Sequence, residues 1–174
     1  MCIRDRDKDG QPRYACLRGI GTDFKGEATG SDKRFSFSIP AEESSQVLYL
    51  FESAIDLLSF ATMAQEDKLP WRSQHLLSLA GVYQPKKNLT ERHLPLALSQ
   101  YLRDHREIQT IYLCLDNDLA GRSAADAIRQ QLAGRYVVLD GFPCQGKDYN
   151  DWLCLRKGLP ITRTVSKPER SMAR

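Results

Sequence analysis

The rhythm of apolar and polar positions changes at Gln46. Upstream, polar and turn-forming residues dominate, broken by two alternating stretches, Arg13 to Arg18 and Arg34 to Ile39, each of which predicts a short strand. Asp9-Gly10 predicts a turn ahead of the first. Downstream, compact apolar runs alternate with helical spacing. "QVLYLF" (46–51), "HLLSLAG" (75–81), "QTIYLCL" (109–115) and "YVVLD" (136–140) predict four buried strands. "SAIDLLSFATMAQED" (53–67) predicts a helix capped by Ser53, with Ile55, Leu58, Ala61 and Ala64 as its apolar stripe. "ERHLPLALSQYLRDH" (91–105), capped by Thr90 and with Pro95 near its start, predicts a second helix. Residues 120–133 predict a third, and 148–158 a last one ended by Gly158 and Pro160.

Strands alternating with helices imply an α/β fold. The expected core is a four-stranded, mostly parallel Rossmann-like sheet with helices on both faces and right-handed crossovers. A short β-rich segment precedes it. The expected divisions are 1–44 for that segment, 45–158 for the α/β domain and 159–174 for a basic, disordered tail. Two short strands cannot bury a core alone, so residues 1–44 read as the end of a longer, truncated upstream region. The first six residues, "MCIRDR", also resemble a translated adapter sequence, and a native start stays open beside that reading.

Charge and composition narrow the function classes. The 174 residues carry a net charge of +3, and 41% are hydrophobic, as expected of a soluble globular chain. No apolar run reaches the roughly 18 to 20 residues of a membrane helix, and the charged N-terminus is no secretory signal. Five scattered cysteines without a CxxC pair read as reduced thiols, so a cytoplasmic location is expected. The histidines, His75, His93 and His105, lie far from the cysteines in sequence, so no zinc site is expected. The tail holds six Lys/Arg against Glu169 from residue 156 onward, a weak pointer to a polyanionic partner.

The acids carry more information. In parallel sheets, ligands bind beyond the carboxyl ends of the strands. Glu52 follows the first strand of the α/β region, Asp116 and Asp118 the third, and Lys147, Asp148 and Asp151 lie after the fourth. Asp56 falls one helical turn beyond Glu52. Taken singly, Asp56 fits a capping box with Ser53, and Asp118 and Asp148 fit helix N-caps. Glu52 and Asp116 do not, since glutamate caps poorly and Asp116 precedes the expected cap by two residues. Several carboxylates at one sheet edge repel one another unless a cation joins them, and oxygen donors with substrate phosphates suit Mg2+. Gly121 would leave room for a phosphate at the third helix N-terminus.

These residues resemble the Toprim domain of topoisomerases and bacterial primases, with "VLYLFESAID" supplying Glu52 and "IYLCLDNDLAG" supplying Asp116 and Asp118. Asp56 matches the primase form of the first motif, and "GKDYNDWL" looks like a third acidic motif with Asp148 and Asp151. The segment "DKDGQPRYACLRG…FKGEATGSDKRFSFSIP" is similar to what precedes Toprim in primase-like proteins of plasmids and integrative elements.

The resemblance implies nucleotidyl transfer on single-stranded DNA, with nucleotides as substrates and Mg2+ or Mn2+ held by Asp116, Asp118 and Glu52, joined by Asp56 and Asp148. Glu52 is then a ligand or a general acid/base. A helicase or relaxase is the implied partner. Lys147, Lys33 and Arg34 are candidates for phosphate or template contact, and Tyr14, Phe35 and Phe37 for base stacking, although alternating aromatics more often belong to a core. The rival readings are a non-catalytic DNA- or partner-binding Toprim module, a DxD phosphatase that leaves Glu52 idle, and a Toprim nuclease, for which no P-loop is present.

Overall fold

The computed structural model describes residues 1–7, 9–20, 22, 24–81 and 93–161. Strands β1 (Cys2–Arg6), β2 (Pro12–Arg18) and β3 (Lys25–Glu27) form an antiparallel meander. A second sheet follows, built from β4 (Ser38–Ile39), β5 (Val47–Phe51), β6 (His75–Ser78), β7 (Thr110–Cys114) and β8 (Val137–Asp140), in the order β4-β6-β5-β7-β8. The last four are mutually parallel and are the four strands the apolar runs predict. β4 adds an antiparallel fifth at the edge, pairing Ser38 with Leu77.

Helices α1 (Ala54–Glu66), α2 (Leu96–Asp104), α3 (Leu119–Leu132) and α4 (Tyr149–Arg156) cover both faces. The strand period of two divides the core between them. Leu48 and Leu50 of β5, with Ile111 and Leu113 of β7, face α2 and α3 through Leu98, Ala124, Ile128 and Leu132. Tyr49, Phe51, Tyr112 and Cys114 face α1 and α4 through Leu57, Ala61, Tyr149 and Trp152. Tyr49 stacks on Tyr112 at a centroid distance of 4.8 Å, and Phe51 meets Tyr149 edge to face.

Local expectations shift in four places. The stripe of α1 runs through Ala54, Leu57, Ala61 and Ala64, and Leu58 points outward. A step of three falls behind the 3.6-residue turn, so the stripe predicted from it drifts off the sheet. The helix α2 starts at Leu96, with Pro95 at its cap and without an N–H to donate. The proposed Thr90 cap lies outside the described residues, as does most of the basic tail. In place of a strand from Arg34, Lys33–Phe35 forms a 3-10 turn because the Asp32 carboxylate accepts the Arg34 N–H, leaving only Ser38 and Ile39 to pair. The charged "CIRDR" stretch, for which no strand was expected, is β1, paired antiparallel with β2 from Cys2 to Arg6 with a register shift between Asp5 and Arg6.

The two sheets are joined by more than chain. The Asp5 carboxylate accepts from the Ser38 N–H at 2.7 Å and from its hydroxyl at 3.1 Å. The buried Ser36 hydroxyl donates to the Ser78 carbonyl. These bonds hold the meander over the carboxyl end of β5, β6 and β7.

Candidate metal centre and cleft

Glu52 follows the last residue of β5, and Asp116 lies two residues beyond β7. Phe51 pairs with Cys114 in parallel register, so both loops open at the same sheet edge. Asp118 is the N-cap of α3, its Oδ1 accepting the Gly121 N–H at 2.9 Å. Its other oxygen, Oδ2, lies 3.2 Å from the Lys147 ammonium. Asp116 has no part in that cap; it is 6% exposed and its Oδ2 lies 2.8 Å from the same ammonium. One cation thus spans both aspartates.

The loop after β8 is built to place Lys147. Its N–H donates to Asp151 Oδ2 at 3.0 Å, and its carbonyl accepts from the Asn117 N–H at 2.6 Å. Asp148 caps α4 by accepting the Asp151 N–H at 2.7 Å. Asp56 is almost fully buried. Ser53 donates to its Oδ2 at 2.5 Å, and the Asn150 N–H donates to its Oδ1 at 3.3 Å, tying the starts of α1 and α4 together.

Electrostatics divide these carboxyls. Burial, reinforced by Asp116, pushes Glu52 up to about 7, with Lys147 opposing. Burial likewise pushes Asp56 up to about 6, and raises Asp116 against the pull of Lys147. Asp118 is held below its ordinary value, first by the Gly121 N–H. One edge therefore carries a carboxylate that stays ionised and a glutamate that exchanges its proton near neutrality.

A pH dependence follows. Between the ordinary 4.5 and about 7, folded Glu52 holds more proton than unfolded Glu52. Stability without a divalent cation therefore falls as pH rises through that window. Melting temperature measured from pH 4.5 to 7.5 shows this fall, and Glu52→Gln removes its part near neutrality while Asp56 still contributes on the acid side.

The edge borders a cleft of about 680 Å³. One wall carries Glu52, Asp56, Asp116, Lys147 and Asp148. The other is the meander, presenting Tyr14, Cys16, Arg18, Lys25 and Glu27. Arg18 and Lys25 are cationic wall residues that the sequence reading did not single out. Their signal was the alternation of "YACLR", which puts Tyr14, Cys16 and Arg18 on one face, with Lys25 opposite Arg18 across the ladder.

Three further sets of candidate residues make contacts of their own. Lys33 and Arg34 do not line the cleft; they pair with Glu27 at 3.0 Å and Asp32 at 2.6 Å in the 3-10 turn. Gly121 does not hold a phosphate pocket open. Its N–H is taken by Asp118, and a Cβ there would stand 2.0 Å from the Asp116 carbonyl oxygen. Tyr14 is 5% exposed and donates to Glu27 at 3.3 Å, while Phe37 packs against the α1/α4 core and Phe35 lies beside Arg34.

The donor set fits a hard divalent cation. Asp116 and Asp118 offer carboxylate oxygens already arranged around a positive charge, and Glu52 faces them.

Comparison with known proteins places the fold and the family. A 65 kDa protein of Zymomonas mobilis subsp. mobilis is 28% identical over 157 residues, an alignment covering 84% of this chain and 25% of that protein. The primase fragment of the bacteriophage T7 primase-helicase protein shares the fold, with a TM-score of 0.56 and 21% identity over 90% of this chain and 58% of that one. The chain thus spans a quarter of the curated relative and little over half of the primase fragment. The family described as Toprim-like matches residues 49–153, from β5 through the core of α4 and so across every acidic strand end described above; the chain belongs to that family.

Proposed function

We propose that this chain carries the nucleotidyl-transfer centre of a primase-like protein acting on single-stranded DNA. The observation that supports it most is the convergence of Glu52, Asp116 and Asp118 at one sheet edge around a single cationic group, in a cleft with a basic far wall. In this reading Asp116 and Asp118 would hold Mg2+ or Mn2+, which would supply charge neutralisation for the transferring phosphoryl group, and Glu52 beside them serves as the base. Asp56 and Asp148 support that set by fixing the starts of α1 and α4 beside it.

Glu52 accepts the proton of the attacking 3′-hydroxyl. The hydroxyl oxygen bonds to the α-phosphorus of the incoming nucleotide, and the bond to pyrophosphate breaks. Lys147 leaves the aspartates for a phosphate oxygen, while Arg18 and Lys25 face the template backbone. A helicase or relaxase partner, service to a mobile element and a cytoplasmic location belong to the same reading.

Cation binding tests the first half of this reading. Mg2+ or Mn2+ raises the melting temperature of the wild type and leaves that of an Asp116→Asn/Asp118→Asn chain unchanged. An equal response in both chains ends the metal assignment. Lys147→Met removes the competing ammonium, so calorimetric titration gives tighter Mn2+ binding, by about tenfold for 1.4 kcal/mol. Weaker binding would show that Lys147 organises the site and does not compete for it.

A second reading is favoured by Lys147 itself. An ammonium that already neutralises both aspartates suits a module that binds DNA or a partner without transferring phosphoryl groups. It predicts DNA binding that is indifferent to divalent cations.

A further inference from the structure

At the opposite end of the sheet, His75 opens β6, His105 closes α2, and Glu107 lies in the loop entering β7. The Glu107 Oε1 is 3.1 Å from His105 Nδ1 and 3.6 Å from His75 Nε2. The three ligand atoms all lie within 4.8 Å of one another. Tetrahedral coordination with bonds of 2.0 to 2.1 Å sets ligand atoms about 3.3 Å apart, so small side-chain movements close these three on one ion.

His75 supplies an independent observation. Its ring is 3% exposed, and its Nε2 is the one buried side-chain polar atom among the described residues without a hydrogen-bond partner. The Ser45 backbone acts on the ring as a hydrogen-bonding neighbour, but no contact at Nε2 meets hydrogen-bond geometry. On the other side, Nδ1 has the Tyr101 hydroxyl at 3.1 Å and the Ala41 N–H at 3.3 Å. If Nδ1 accepts from Ala41, Nε2 carries a buried, unpartnered proton, which is costly. If Nδ1 donates to Tyr101, the Nε2 lone pair is free, with Glu107 Oε1 3.6 Å away. A hydrogen bond from the second ring nitrogen is what orients a metal-bound histidine.

We propose that His75, His105 and Glu107 form a binding site for a zinc-class transition cation, with three protein ligands and one open position. Imidazole nitrogens with one carboxylate select this class over Mg2+. Access is from the side of His105 and Glu107, whose side chains are 25% and 39% exposed. The sequence argued against zinc because the histidines have no cysteine near them, and here Glu107 takes that place. The bound ion would join the start of β6 to the α2–β7 connection, remote from the acidic edge.

The test titrates Zn2+ into the whole chain, with Co2+ as a spectroscopic substitute. Expected are one Zn2+ per chain, a higher melting temperature, and visible tetrahedral Co2+ bands without thiolate charge transfer. Glu107→Gln and His105→Ala each weaken binding by more than about tenfold, the loss seen even for outer-shell partners. Asp116→Asn leaves Zn2+ binding intact, which separates this site from the one proposed above. No stoichiometric binding, unchanged affinity in Glu107→Gln, or a thiolate band that places the ion on the cysteines would each overturn the proposal. The exposed Glu107 keeps the test decisive even where His105→Ala perturbs folding.

Discussion

Asp116→Asn is expected to lower divalent-cation-dependent oligonucleotide synthesis by about 10³-fold, since a catalytic cation contributes several kcal/mol to the transition state. The fold should survive. Asparagine has the same shape, removes a charge that burial disfavours, and leaves Lys147 paired with Asp118 at 3.2 Å. Melting temperature without cation therefore stays within a few degrees of wild type, while the cation-induced rise disappears. Synthesis on a single-stranded template, with Mn2+ or Mg2+ in each reaction, is the measurement. Equal synthesis by wild type and variant would sink the transfer assignment. Cation-independent DNA binding by both, without synthesis by either, would favour the binding module.

Gly121→Ala is expected to destabilise the chain by about 3 kcal/mol, near the upper end of ordinary overpacking. The added methyl would sit 2.0 Å from the Asp116 carbonyl oxygen and 2.9 Å from its carbonyl carbon, and backbone atoms cannot rotate away. Alanine is the better helix former by about 1 kcal/mol, which offsets only part of the clash. For a chain of this size the net loss lowers the melting temperature by roughly 6 to 12 °C. Because the clash separates α3 from the end of β7, it also moves Asp116 relative to Asp118, and cation binding falls with stability. Chemical denaturation with and without Mn2+ measures both. Wild-type stability in this variant would show that α3 shifts freely, and that glycine is not needed for the site.

The alternation of apolar runs with helical spacing was sufficient for the four parallel strands, because burial leaves continuous apolar runs in β5, β6 and β7 that polar loops interrupt sharply, although the edge strand β8, expected to be buried, stays largely exposed. Asp118 and Asp148 were legible as helix caps for a local reason: a cap bonds an N–H three residues away. What misled was also local. The charged "CIRDR" does not advertise a strand, since its partner is β2 and both faces of β1 stay largely open. Gly121 looked like space for a ligand, although the space belongs to the Asp116 backbone.

By itself, the sequence determined the order of elements from Gln46 onward, the α/β class and the presence of carboxyls at the ends of successive strands, all of which depend on periodicity and short-range bonding. Only the tertiary structure decided which charges meet. Lys147 reaches Asp116 and Asp118 from thirty-one and twenty-nine positions away because β7 and β8 are parallel neighbours. Arg18 and Lys25 face the acids because bonds from Asp5 to Ser38 hold the meander over the sheet edge. His75, His105 and Glu107 gather at the other end because β6, α2 and β7 all begin or finish there. Such contacts depend on strand order and on the packing of separate layers, and neither is written in the spacing of residues along one chain.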